Sequence, residues 1–112
     1  MKHKIVLVPF PFDDLSGTKV RPVVCLTNQI TTYNHVVIAF ITSQIHIANE
    51  ASDIIIDSTD VGFGITGLRM SSAIRLHRLV TIPTRIIQRQ LGDLPVNYHA
   101  DVETKLRSLF DL

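Results

Sequence analysis

Two basic side chains in the stretch SSAIRLHRL, residues 71–79, have a spacing that permits acid–base chemistry. Arg75 and His77 are two positions apart, so in a β-strand they share one face, with Cα atoms about 6–7 Å apart. An imidazole titrates near neutrality and can act as base or acid, and a guanidinium can hold phosphate oxygens. The pair is therefore suited to work on a phosphate. A half-buried strand with one solvated face explains the same pattern without any chemistry.

The charge of the chain is unevenly distributed around this stretch. The net charge is only +1, but residues 69–89 contain five arginines and no acidic residue. A local basic segment in a near-neutral protein suits a phosphate-binding patch. Charge alone favours the simpler alternative, in which these arginines lie on exposed faces and pair with acidic residues elsewhere.

Composition predicts one compact domain over residues 1–112. Of the 112 residues, 46% are hydrophobic and 19% charged, which is typical of a globular chain. Cys25 is the single cysteine, in the apolar run VVCLT, so we expect a buried thiol, no disulfide and a reducing compartment. The start of the chain lacks a signal-peptide cleavage site, and no apolar run reaches membrane-spanning length. We therefore expect a soluble, cytoplasmic protein without membrane contact.

The hydrophobic pattern predicts a chain of short strands followed by one helix. The apolar run 35–44 is typical of a central strand, and residues 84–91 fit either a strand or a helix. Residues 101–110 form an amphipathic helix, capped by Asp101, whose apolar face is Val102, Leu106, Leu109 and Phe110. The glycine-rich GFGITG does not open a helix, which argues against a phosphate loop. Further strands are predicted over residues 4–10, 21–27, 53–57 and 72–81.

This succession predicts a fold that is mainly β with α, of the α+β class. Short strands separated by turns, with a terminal helix, favour a small barrel or strongly bent sheet packed by that helix. No internal repeat or linker interrupts the chain.

Five segments taken in order, with the final amphipathic helix, resemble the MazF/PemK family of type II toxins. They are IVLVPFPF, DLSGTKVRP, FITSQ, SSAIRLHRL and LGDL, and the resemblance covers nearly the whole chain. It implies a small SH3-like barrel of short antiparallel strands and a homodimer. It also implies sequence-specific cleavage of single-stranded RNA without a metal or other cofactor, and neutralisation by a cognate antitoxin.

The resemblance also assigns roles to individual residues. Arg21 of RP and Thr42 of FITSQ form the first candidate catalytic pair, and Arg75 and His77 form the second. His77 stands where the PemK branch often has an aspartate, and His3-Lys4 replaces a common Gly-Asp or Gly-Glu. Without the resemblance, Thr42 is better explained as a β-branched residue that fills a strand. The expected RNA contacts are Lys19, Ser43, Gln44 and Arg78, with base specificity set by the loops 28–34 and 45–52.

The implied reaction uses the RNA's own 2′-hydroxyl as the nucleophile. The protein must then accept a proton, stabilise the charge that develops on phosphate and allow the leaving oxygen to be protonated. Five histidines are scattered without the spacing of metal ligands, so no metal site is expected. Asp13 and Asp14 are a further candidate base, or a group that orients Arg21, or simply a solvated turn.

The sequence is compatible with two other functions. The first is a non-enzymatic gyrase poison like CcdB, which shares the fold but acts through a protein interface. The second is a nucleic-acid-binding module of the same fold that has lost catalysis.

Overall fold

The computed structural model describes residues 1–10 and 19–112. Six strands pair antiparallel in the order β4-β5-β3-β2-β1-β6, and one helix follows them. The sheet curls into a half-barrel, which confirms the predicted class. The bounds are β1 Lys4–Pro9, β2 Val20–Cys25, β3 His35–Thr42, β4 Asp53–Ile56, β5 Ser72–Pro83, β6 Arg89–Asp93 and α1 His99–Leu109.

Both faces of the curled sheet are covered by apolar side chains. One face contributes Ile5, Val24, Ala39 and Ile74 to a core that includes Val102 of α1. The other face contributes a second core that includes Val8, Val23, Ile38, Phe40 and Ile82. Because β3 lies between β5 and β2 and is buried on both sides, its sequence is almost continuously apolar, as a central strand requires.

The segment over residues 84–91, predicted as either strand or helix, contains parts of two elements. A 3-10 turn forms over Thr84–Ile86, and β6 begins at Arg89. GFGITG folds around another 3-10 turn, Phe63–Thr66, and the chain then continues into β5 rather than a helix.

The helix begins two residues earlier and ends one residue earlier than predicted. It begins at His99 instead of Asp101, because the 3-10 turn Val96–Tyr98 already starts the helical winding. Tyr98 occupies the N-cap position, and Asp101 lies in the first turn, so Asp101 is not the cap.

The predicted apolar face of α1 is only partly buried. Val102 packs in the core and Leu106 packs against it, but Leu109 and Phe110 are 40% and 56% exposed. The core therefore stabilises the first half of the helix much more than the second. No helix in the described ranges is long and apolar enough to cross a membrane.

Candidate functional site

A bulge in β5 positions the second candidate pair. Phe40 of β3 pairs with Arg75 and its neighbour Ala39 pairs with Leu79, so residues 76–78 have no partner in β3. On the other side β4 begins only at Asp53, opposite Arg75. Extra residues bend a strand and interrupt its alternation. His77 therefore lies just beyond the start of β4, at an open edge of the sheet.

A buried carboxylate holds Arg75. Asp53 Oδ1 accepts a hydrogen bond from Arg75 Nε at 3.0 Å, and Oδ2 accepts a longer one from Nη2 at 3.5 Å. The side chains are 2% and 14% exposed, respectively. The main-chain N–H of Glu50 also donates to Asp53 Oδ2, at 3.0 Å. Since a buried carboxylate is costly unless it is paired and hydrogen-bonded, Asp53 and Arg75 depend on each other.

His77 belongs to the same cluster. Its Nδ1 lies 2.8 Å from Ser52 Oγ, within a hydrogen bond, and 4.0 Å from Asp53 Oδ1. Lys105 of α1 donates to the main-chain oxygen of Asp53 at 2.8 Å. The predicted shared placement of Arg75 and His77 is thus seen, and Asp53, Ser52 and Lys105 complete the group.

The cluster opens into a cleft of about 590 Å³ between the start of β4, β5 and the second half of α1. Two permanent cations and one imidazole face it, together with hydroxyl groups that can donate or accept hydrogen bonds. The lining residues are Glu50, Ala51, Ser52, Arg75, His77, Thr104, Lys105, Ser108 and Leu109. This combination can hold an anionic or nucleoside-like group and exchange a proton with it.

Arg21 and Thr42 lie at neighbouring strand ends outside that cleft. β2 and β3 pair from Val23 opposite Phe40, and the same register continued by two residues places Arg21 opposite Thr42. Pairing begins only after Pro22, which has no N–H to donate. Arg21 is exposed, and Thr42 Oγ1 accepts a hydrogen bond from the Gln44 N–H at 3.1 Å.

The strand register shows where the two candidate pairs lie relative to each other. Thr42 is the partner of Ala73, which lies two residues before Arg75 on β5. Directly paired residues and residues two apart share a face, so Thr42 and Arg75 belong to the same face of the sheet. Among the described residues, no hydrogen bond or ion pair connects Arg21 or Thr42 to the cluster around Asp53.

The predicted RNA contacts are scattered around these two places. Lys19 is exposed just before β2, and Ser43 and Gln44 are exposed directly after β3. The Arg78 guanidinium lies 4.7 Å above the Phe40 ring, a cation–π geometry on the face that Arg75 shares. Asp13 and Asp14 lie outside the described residues.

Cys25 is not a reactive centre, and the described ranges contain no cluster of metal ligands. Cys25 is buried, as predicted, and burial raises the pKa of its thiol to about 11, so it stays protonated near neutrality. No group of three His, Cys, Asp or Glu residues in the described part of the chain could hold a metal ion.

Sequence reasoning missed Asp53, Ser52 and Lys105. Asp53 was visible only as the acidic first residue of the apolar strand DIII. Its partner lies 22 residues away on another strand, so only the register of β4 with β5 brings the two together. An acidic residue at the start of an apolar strand was the one available signal.

Comparison with known proteins supports a single family. The profile of the PemK-like, MazF-like toxins of type II toxin–antitoxin systems matches residues 2–110. The Mycobacterium tuberculosis toxin MazF-mt6 is 23% identical over 97% of each chain, with a TM-score of 0.74. MazF from Deinococcus radiodurans is 19% identical over 99% of this chain and 96% of its own, with a TM-score of 0.69.

A third similar structure is an endoribonuclease in complex with its cognate antitoxin from a mycobacterial species. It is 13% identical over 100% of this chain and 93% of its own, with a TM-score of 0.70. Among curated proteins, none matches this chain significantly. These structural similarities support the fold, and the family profile extends over nearly the whole sequence. The protein therefore belongs to the PemK-like, MazF-like family of toxins of type II toxin–antitoxin systems.

Proposed function

We propose that this toxin is a sequence-specific, metal-independent endoribonuclease that cleaves single-stranded RNA. The observation that carries the proposal is that Arg75 and His77 line the same cleft. The buried Asp53 carboxylate lies next to both side chains. A cation for phosphate and an imidazole for proton transfer are the groups that 2′-hydroxyl attack requires. Membership of the toxin family supports the same activity.

The proposed reaction balances without an external co-reactant. The 2′-oxygen bonds to phosphorus as its proton passes to the protein, and the bond from phosphorus to the 5′-oxygen breaks. The leaving 5′-oxygen takes up a proton from water, and the protonated base returns its proton to the hydroxide that is left. The products are a 2′,3′-cyclic phosphate and a 5′-hydroxyl.

His77 is the proposed base. When its Nδ1–H donates to Ser52 Oγ, the lone pair resides on Nε2, which has no hydrogen-bond partner among the described residues. Nε2 is then available to take the proton from the 2′-hydroxyl. Arg75 lies beside it and can contact a phosphate oxygen while it remains bound to Asp53.

Arg21 and Thr42 are proposed to stabilise and position the phosphate from the neighbouring strands. A guanidinium at an exposed strand end can stabilise the negative charge that develops on the phosphorane-like transition state. The Thr42 hydroxyl accepts a bond from Gln44, so its own hydrogen remains available to donate. Lys19, Ser43, Gln44 and Arg78 are proposed to bind flanking nucleotides.

Exposed side chains in the loops 28–34 and 45–52 support a role of these loops in base recognition. Tyr33 is 76% exposed, with its ring centroid 6.0 Å from that of His35. Ile45 and Ile47 are 41% and 42% exposed. Single-stranded RNA is commonly read through bases stacked on aromatic side chains, and Tyr33 is such a side chain.

We also propose a cytoplasmic homodimer that a cognate antitoxin neutralises. The antitoxin would be an acidic segment that covers the arginines, because opposite charges favour such an encounter. The mycobacterial endoribonuclease solved with its antitoxin supports this kind of partner.

The decisive experiment maps cleavage ends on a long RNA in excess chelator. We expect cuts at a recurring short motif with 5′-hydroxyl ends, and we expect His77→Ala to slow cutting by about 10²–10⁴-fold. Loss of cutting in chelator contradicts metal independence. Binding without cutting identifies an inactive binding module, and inhibited DNA supercoiling without RNA loss identifies a gyrase poison.

A further inference from the structure

Asp53 occupies an unusual position for an acidic residue in this protein. Its side chain is 2% exposed, and it stands where the edge strand β4, the bulge of β5 and helix α1 come together. Both carboxylate oxygens accept hydrogen bonds, Oδ1 from Arg75 and Oδ2 from Arg75 and the Glu50 main chain. The carboxylate is therefore fixed in place before any ligand arrives.

This fixed carboxylate limits how Arg75 can meet a phosphate. Nε and Nη2 are directed at Asp53, and Nη2 also lies 3.5 Å from the Ile47 oxygen. Nη1 has no hydrogen-bond partner among the described residues. Because the guanidinium is planar, occupation of one edge sets the direction of the remaining nitrogen. Nη1 is therefore the nitrogen of Arg75 that remains to contact a ligand in the cleft.

The Ser52 hydroxyl, which lies next to this carboxylate, limits the orientation of His77. Nδ1 faces Ser52 Oγ at 2.8 Å and Asp53 Oδ1 at 4.0 Å, which leaves Nε2 on the far side of the ring. The charged groups that line this cleft around the ring are Arg75 of β5, Lys105 of α1 and Glu50 of the preceding loop. Among the residues that the structure describes, Asp53 is the acid nearest to the ring.

We propose that Asp53 is the positioning residue of this site: it holds Arg75 directly and lies beside the hydrogen-bonded Ser52 and His77, so that Nη1 and Nε2 both face one cleft. The inference rests on the proposed ribonuclease function. Strand β5 contains no acidic residue, and Asp53 of β4 supplies the carboxylate of the site. Asp53 acts through its neighbours and does not itself contact RNA.

The test compares Asp53→Asn with Asp93→Asn. Asp53→Asn keeps the shape of the side chain and removes its charge. We expect kcat for RNA cleavage to fall by about 10²-fold with little change in KM, because the reacting groups lose alignment. The matched control is Asp93, whose side chain is 44% exposed and paired with Lys4. Asp93→Asn should cleave RNA like the wild type.

Ser52→Ala provides a second variant that leaves the Asp53–Arg75 pair intact. It removes only the hydrogen bond to His77 Nδ1, and we expect kcat to fall by about 10-fold with KM retained. Nitrogen NMR of His77 should show a changed tautomer population in Ser52→Ala, a readout independent of activity. This variant tests the His77 part of the inference even if Asp53→Asn fails to fold.

The outcomes separate the inference from the function on which it rests. A wild-type protein that cuts no RNA refutes the proposed function. If the wild type cuts and folded Asp53→Asn cuts with the same kcat, the positioning role is wrong. If Ser52→Ala leaves both kcat and the His77 tautomer unchanged, the proposed orientation of His77 is wrong.

Discussion

The imidazole rings of His3 and His99 stack face to face, with centroids 3.5 Å apart and planes inclined by 10°. His3 precedes β1, and His99 is the first residue of α1, so the stack connects the helix to the sheet. The Leu94 carbonyl lies 2.8 Å from His99 Nε2 and can only accept, so Nε2 carries a hydrogen. His3 Nδ1 is buried and has no hydrogen-bond partner among the described residues.

This stack should make stability depend on pH. Burial, followed by the charges of His99, Lys2 and the N-terminus, lowers the pKa of His3 below its usual value of 6.5. The unfolded chain then binds this proton more readily than the folded protein does. Stability is therefore full above pH 6.5 and falls as the pH drops below it. Urea unfolding at pH 7.5 and pH 5.5 should show a lower midpoint at pH 5.5.

A matched pair of variants tests the origin of that dependence. His3→Gln should reduce the difference between the two midpoints, because the titrating ring is absent. His46→Gln, on an exposed turn, should retain the full difference. An equal pH dependence in wild type and His3→Gln would assign the effect to other groups.

The Asp53–Arg75 pair should be the most sensitive ionic contact in the described part of the fold. Arg75→Met leaves a carboxylate that is 2% exposed without its cation. We expect the free energy of unfolding to fall by about 3–5 kcal/mol, as for other buried pairs that lose one partner. The exposed pair of Arg107 with Glu103 gives the control, and Arg107→Met should cost no more than about 0.5 kcal/mol. Equal losses in the two variants would contradict a buried, stabilising role.

The class of fold and the positions of most strands along the chain could be anticipated much better than the site. β1, β3 and the helix follow from local apolar patterns, and the structure moves their limits by only a few residues. The bulge at residues 76–78 depends on where β4 and β3 pair with β5, which no local pattern specifies. The partnership of Asp53 with Arg75 depends on the same register. The helix start shifted because a 3-10 turn preceded it, a contribution that capping rules at Asp101 do not include.

Arg21 provides a test of catalysis that is separate from stability. The side chain is exposed, and it makes no hydrogen bond or ion pair among the described residues. Arg21→Ala should change the free energy of unfolding by no more than about 0.5 kcal/mol. RNA cleavage should fall by about 10²–10³-fold, because a charge that meets the transition state is lost. Arg69→Ala, an exposed arginine outside both candidate pairs, is the control and should cleave normally. Full activity of Arg21→Ala would remove Arg21 from the mechanism.

Cys25 should be inert in the folded protein. Its side chain is fully buried in β2, and burial raises the pKa of the thiol to about 11. Since the thiolate is the reactive form, a disulfide reagent at pH 8 should label Cys25 only as fast as the protein opens. Labelling should become immediate in denaturing urea. Rapid labelling of the native protein would contradict the buried position.

The contact between β6 and the turn Phe63–Thr66 should tolerate no side chain at Gly92. A Cβ there would overlap the Ile65 carbonyl oxygen, and its distance to the Thr66 carbonyl carbon would be 2.7 Å. Both atoms belong to backbone, so neither can rotate away. Gly92→Ala must therefore separate the strand from the turn, and we expect a loss of about 1–3 kcal/mol in the free energy of unfolding.

Gly64 lies in the same turn and supplies the control for that substitution. A Cβ at Gly64 has no atom within 4 Å, so Gly64→Ala should unfold near the wild-type urea midpoint. If close packing of backbone on backbone is the reason that glycine stands in LGDL, the two alanine variants must differ in stability. Equal midpoints would show that β6 and the turn can separate without cost, and that Gly92 serves another purpose.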